Sequence, residues 1–210
     1  MTTYEHAMLG VTGAMAVGLH RKYGWEIVAL AGFVAVLPDW DGLSLFFGAA
    51  TFDRLHRTLG HNLLIGLLLG LAVAALEYRY RLARRLKQCL GRRMSMFASK
   101  GGSPKPSDFR PPGLCICLVT AVLASLSHLA ADLVFSGHEV LSDWGIRLFW
   151  PFSDRFWAYP MVSWGDPAVT VLFAGGMFAM VRWPSRLPAI AQLTLTLVLT
   201  YIAIRGLIAG

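Results

Sequence analysis

The sequence predicts an all-α fold: a polytopic integral membrane bundle of about six membrane-embedded helices. Three observations predict it. Hydrophobic residues make up 56% of the 210-residue chain and charged ones only 15%, against about 25% charge in an ordinary soluble domain. Mean hydropathy is +0.55. The net charge of +7 is also unevenly spread. Most of it gathers between two apolar runs, where the positive-inside rule explains it without invoking nucleic acid. No nucleic-acid-binding motif accompanies it, so no nucleic-acid partner is expected.

Taken in order, the first apolar segment is Ala7 to Leu19, followed by His20-Arg21-Lys22. The second is Trp25 to Leu37, stopped by Pro38. Both are short, because about sixteen helical residues reach only ~24 Å of a ~30 Å hydrocarbon core. They would either cross a thinned region or form a re-entrant hairpin. Small residues such as Gly10, Gly13, Ala14, Ala31 and Gly32 permit close helix approach. Leu59 to Leu76 is the third crossing, and it runs into a basic stretch read as the same helix leaving the bilayer. Gly91 to Gly113 reads as a linker. Leu114 to Phe135 is the fourth crossing, and Pro167 to Trp183 and Leu187 to Ile204 are the last two. An aromatic segment, 138–166, contains Trp144, Phe149, Trp150, Phe156, Trp157, Tyr159 and Trp164, residues that favour the membrane interface. The chain divides into N-terminal membrane helices (1–78), a basic linker (79–113) and C-terminal membrane helices (114–210). Cys89, Cys115 and Cys117 make no disulfide pattern and read as structural. The N-terminus lacks a basic n-region, so no cleaved signal peptide is expected.

Charge sets the topology. Arg79, Arg81, Arg84, Arg85, Lys87, Arg92, Arg93, Lys100, Lys105 and Arg110 place loop 79–110 in the cytoplasm of a bacterial-type inner membrane. Lipid headgroup contact is a further role for this run. Counting outward from it, Arg21-Lys22 and Arg182/Arg186 also fall inside. His6, Asp39, Asp41, His56, His61, His128 and Asp132 then come from four segments to the opposite, non-cytoplasmic face. His128 and Asp132 share one helix face at i, i+4. Ionisable groups inside an apolar helix are costly to insert and mark function by default. Singly, each has a plainer role: Asp39 after Pro38 suits a helix cap, and a histidine at a helix end suits the interface. Coincidence does not account for all of them on one face.

Imidazole and carboxylate together suit a divalent metal, Zn2+ first, with Mn2+ or Fe2+ as alternatives. The number of ligands suits two or more ions. Such centres activate water against phosphoesters. Arg57 has the fork that matches a phosphate oxygen and would stabilise developing charge. A general base falls to a carboxylate among the ligands, Asp41 being the candidate, or to the activated water itself. His20 lies on the wrong face, and His138, Glu139 and Asp166 are peripheral. Two other readings remain: a metal-ion transporter, which should show midplane ligands and repeated halves, and a membrane protein with a closed structural metal site.

The motifs also carry a resemblance. His6, Leu37-Pro38-Asp39-Trp40-Asp41, His56-Arg57-Thr58-Leu59-Gly60-His61, Ser127-His128-Leu129-Ala130-Ala131-Asp132 and Leu148-Phe149-Trp150-Pro151-Phe152-Ser153 occur in this order. Over roughly residues 1 to 170 the chain resembles the LexA-regulated, membrane-bound metal-dependent hydrolases, the YdjM-like family. Thr58 and Asn62 stand where that family usually has Gly and Ser. The resemblance implies metal dependence and a distant likeness to zinc-dependent phospholipase C. A phospholipid or lipid-linked phosphoester or phosphoanhydride is then the expected substrate.

Overall fold

Helices dominate the computed structural model, which describes residues 1–95, 110–136 and 145–209. Among the described residues the only β pairing is an isolated bridge between Ile146 and Trp157. His138, Glu139, Trp144, Lys100 and Lys105 lie outside the described residues.

Helix α1 spans Thr3–Ala16, and the Glu5 carboxylate accepts from the Thr2 backbone N–H at 2.8 Å to close its first turn. Gly18 and Gly24, both at positive φ, bracket the short α2, Leu19–Tyr23. Helix α3, Trp25–Val36, is the most enclosed element, with Ile27, Val34 and Ala35 fully buried. It packs against α1 and α7. Its α-helical part ends at Val36, but helical winding continues past Pro38. The chain passes directly into a 3-10 segment, Leu37–Phe47, in which Pro38 occupies the first turn, where its missing N–H costs nothing. The second apolar segment is therefore longer than the sequence reading made it. Trp25–Phe47 forms a 23-residue candidate span.

Helix α4, Ala49–Leu55, leads to the loop 56–62, and α5 follows as Leu63–Tyr80. Helix α6, Leu82–Ser95, is separate from α5, because Arg81 adopts a left-handed φ of 52° between them. This corrects the expectation of one continuous helix and of a linker beginning at Gly91. Helix α7 spans Leu114–Val134, α8 Pro167–Arg182 and α9 Leu187–Ala209. A Cβ at Gly10 would meet the Ala31 carbonyl at 2.5 Å, and one at Gly70 would meet Ser125 Oγ at 2.6 Å. These glycines let α1 close on α3 and α5 close on α7.

Among the described residues, four helices are long and apolar enough to cross a membrane: Trp25–Phe47, Leu63–Tyr80, Leu114–Val134 and Pro184–Ile208. Helix α8 has 16 residues and α1 has 14, about 24 and 21 Å of rise. The fold is an all-α multi-pass bundle. Helices α1 and α8 are both shorter than the ~30 Å hydrocarbon core.

Candidate metal centre

Five elements converge at one end of the bundle. Helix α1 brings His6 in its first turn. The 3-10 segment brings Asp39 and Asp41, the loop before α5 brings His56, Arg57 and His61, and α7 brings His128 and Asp132. The segment 145–166 straps this end. Leu63 N–H donates to the Leu148 carbonyl at 3.0 Å, Arg147 N–H to the Arg57 carbonyl at 3.3 Å, and Tyr159 N–H to the Leu133 carbonyl at 2.8 Å.

All seven predicted ligands are brought together, in two groups. The ligand atoms of His6, Asp39, His128 and Asp132 lie within 4.8 Å of one another, as do those of Asp41, His56 and His61. His61 joins the groups. Its Nε2 faces Asp132 Oδ2 at 3.0 Å and Asp39 Oδ1 at 3.3 Å, while its Nδ1 faces Asp41 Oδ2 at 3.0 Å. Asp41 Oδ2 also accepts from Gly60 N–H at 2.9 Å, and Asp41 Oδ1 pairs with His56 Nδ1 at 2.9 Å. Both Asp41 oxygens are thus occupied by protein groups, and Asp41 does not line the adjoining cavity. A carboxylate holding a histidine by its far nitrogen is the arrangement that fixes the tautomer of a metal ligand. Gly60 is required here, because a Cβ would collide with the Pro38 carbonyl.

His128 is held the same way by backbone. Its Nδ1 donates to the Ala35 carbonyl at 2.6 Å, which leaves Nε2 as the free lone pair. That Nε2 lies 3.4 Å from Asp132 Oδ2 and 3.8 Å from Asp39 Oδ1. The His6 ring stacks on His128 at 3.7 Å between centroids, and its Nε2 meets Asp132 Oδ1 at 3.1 Å. The Met1 ammonium donates to the same oxygen at 2.7 Å.

Whether an ion fits can be judged from the polar atoms left over. His61 Nε2 and His128 Nε2 are buried and face carboxylate oxygens at 3.0–3.8 Å without a well-directed hydrogen bond, and Asp39 Oδ2 is buried with none. Each such atom would cost about 1–3 kcal/mol if nothing satisfied it. Ligand atoms ~2.0–2.1 Å from a tetrahedral zinc stand roughly 3.3 Å apart, close to the 3.0–3.8 Å separations here. The donor set and its spacing fit a divalent ion. Burial works against a charged His61, but the carboxylates of Asp132, Asp39 and Asp41 outweigh it and hold the imidazole well above the usual histidine range. A proton on His61 thus offsets the carboxylates where a cation could.

Arg57 is buried beside the site with φ 62°, a conformation worth about 1–3 kcal/mol of strain in a non-glycine residue. Its guanidinium is 3.8 Å from Asp132 Oδ1. Burial pulls its pKa down, and the charges of Asp132, Asp39 and Asp41 oppose that shift. Arg57, Asp39, His56, Asp132, Tyr4 and Trp164 help line a cavity of about 280 Å3.

Three contributors were not anticipated. Asn62 caps α5 by accepting from Ile65 N–H at 2.8 Å and ties the loop by donating to the Thr58 and Leu59 carbonyls. Its residue type, directly before an apolar run, was the available signal. Glu5 is buried beside His6 and accepts from Thr170 Oγ1 at 2.5 Å, anchoring α1 to α8. The Ala35 carbonyl has no signature in sequence.

The chain matches the family model of the YdjM inner membrane protein over residues 1–209. The chain belongs to the YdjM inner membrane protein family. The match extends past residue 170, where the motif resemblance ended, and includes α8 and α9. It makes the chain a multi-pass inner membrane protein. No curated protein matches, and no solved structure matches.

Proposed function

We propose that this YdjM family member is a membrane-bound metal-dependent hydrolase that cleaves a phosphoester or phosphoanhydride of a phospholipid or lipid-linked substrate. The observation that supports the reading is the pair of buried Nε2 atoms of His61 and His128, both directed at the carboxylates of Asp39 and Asp132 at 3.0–3.8 Å. His6, Asp39, His61, His128 and Asp132 would hold a divalent ion, with zinc the first candidate. Asp41 and His56 provide the neighbouring group for a second ion or, with one ion, the support that orients His61. Such an ion supplies water activation and charge neutralisation at phosphorus.

The chain's own groups account for the rest. Arg57, which lines the cavity, stabilises phosphoryl charge through its planar fork. Asp39, whose Oδ2 is unbonded, takes the proton from the attacking water. A lipid substrate is supported by an apolar cleft of about 230 Å3 between α1 and α7, lined by Leu9, Gly13, Val17, Leu123 and Ser127. It begins about one helical turn from His6 and His128 and would take a hydrocarbon chain. The ligand end faces the non-cytoplasmic side in this reading, because Arg21, Arg79 to Lys87 and Arg182 to Arg186 lie at the other end.

The test is hydrolysis by the purified protein, metal-loaded and metal-stripped, on a panel of phospholipids and isoprenoid phosphates. Release of a phosphorylated product only by the loaded protein, and its loss in Arg57→Ala with metal retained, is the expected result. Turnover of no panel member by a fully loaded protein would remove the hydrolase reading and favour a structural metal.

A further inference from the structure

The end of the bundle opposite the metal ligands carries a feature that the proposed hydrolysis does not use. Helix α5 ends there at Tyr78 and Tyr80, 40% and 44% exposed. The Arg81 guanidinium lies 5.3 Å from the Tyr78 ring and that of Arg79 lies 5.6 Å from the Tyr80 ring. Half-exposed aromatics beside arginines mark the headgroup level of a bilayer. Trp25, half-exposed, opens α3 at the same end. At this level the chain turns. Arg81 is left-handed, and its guanidinium donates to the Pro112 carbonyl at 3.0 Å. Helix α6 therefore starts at the headgroup layer.

Leu82, Leu86 and Leu90 recur every fourth residue along α6 and form one stripe. They are 47%, 61% and 52% exposed, and nothing among the described residues covers them. Cys89, also exposed, falls on the same stripe. The other side of the helix faces the protein. Arg84 donates to Glu26 of α3 from Nε at 2.7 Å and from Nη2 at 3.2 Å. Ala83 and Lys87 line a cavity against Tyr23, Trp25 and Ala29. The stripe thus points away from the bundle, flanked by Arg85 and Lys87. The sequence of α6 contains Arg84, Arg85, Lys87, Arg92 and Arg93 and no acidic residue.

We propose that α6 is an interfacial helix whose Leu82–Leu86–Leu90 stripe inserts into the anionic phospholipid layer of the leaflet opposite the metal ligands. A leucine stripe flanked by cations is the pattern of a helix lying in the membrane plane. Each basic residue near an anionic leaflet adds attraction. A second copy of the chain would present the same cationic helix and repel it. This assignment does not rest on the hydrolase reading.

The test uses the full chain with Cys115→Ser, since Cys117 is buried and Cys89 then presents the exposed thiol of the described residues. Cys89 carries a nitrobenzoxadiazole label, and the protein is placed one copy per nanodisc. Expected are a blue-shifted emission and several-fold stronger quenching by spin-labelled lipid in phosphatidylglycerol discs than in pure phosphatidylcholine discs. Arg85→Glu with Lys87→Glu should remove that difference. Water-like emission without quenching in either lipid overturns the proposal. So does equal quenching in both lipids, which leaves no role for charge, or label burial seen only with two copies per disc, which assigns the stripe to self-association.

Discussion

The two ends of this bundle are both rich in charge, and they handle it in opposite ways. At the ligand end, His6, His61, His128, Asp41 and Asp132 are almost wholly withdrawn from solvent and come from separate elements locked to one another. At the basic end, Arg85 and Lys87 are exposed on a single helix, and the Glu26–Arg84 pair is partly solvated. Desolvated charge demands geometry, because an unpaired group costs several kcal/mol. Exposed charge demands only a compatible surface, and a single pair there is worth about 0–1 kcal/mol. The first end is therefore suited to hold an ion, and the second to meet a surface.

Substitutions should separate the two ends by size of effect. The largest is expected for Asp132→Asn, which removes the carboxylate facing His6, His61, His128, Arg57 and the Met1 ammonium. Metal should be lost, and chemical unfolding in detergent should report a destabilisation of about 3–5 kcal/mol. Gly60→Ala should follow, costing about 1–3 kcal/mol as the Pro38 carbonyl is displaced and loosening the Asp41 clamp with it. Asp41→Asn should leave the helices intact and weaken metal affinity about 10–100-fold, read by competition with a chelating dye. Glu26→Gln, at the other end, should move stability by less than about 1 kcal/mol and leave metal affinity unchanged. An Asp41→Asn as silent as Glu26→Gln would erase the distinction between the ends.

Acid should act on one end alone. His61 sits in a carboxylate cage that raises its pKa, so proton and metal compete for Nε2. Because the folded value is raised, the proton's stabilisation of the metal-free protein is full below the ordinary histidine pKa of about 6.5 and fades as pH rises through the folded value. Metal occupancy runs the other way, falling as pH drops, with proton uptake on metal release measurable by calorimetry.

Much of the ligand end was legible in sequence because its chemistry is local. His128 and Asp132 four apart on an apolar helix, and Asp39 and Asp41 after a Pro, are readable residue by residue. Their convergence was expected from the charge-set topology, and the structure brings them together at one end of the bundle. The division of labour was not legible. That Asp41 faces Gly60, His56 and His61 while Asp39 lines the cavity depends on how the 3-10 segment winds past Pro38, and Pro38 reads as a stop in sequence. The break at Arg81 was also hidden, since arginine carries no left-handed preference. The shortness of α1 was readable, and the structure keeps it short.

Binding of a divalent ion by His6, Asp39, His61, His128 and Asp132 has its sharpest test in metal analysis of the purified protein by plasma mass spectrometry. Stoichiometric zinc, manganese or iron is expected in the parent chain, with its loss in both His128→Ala and Asp132→Asn and the helical circular dichroism retained. Undiminished metal in both variants, or a parent chain that takes up none from a buffered zinc solution, would contradict it.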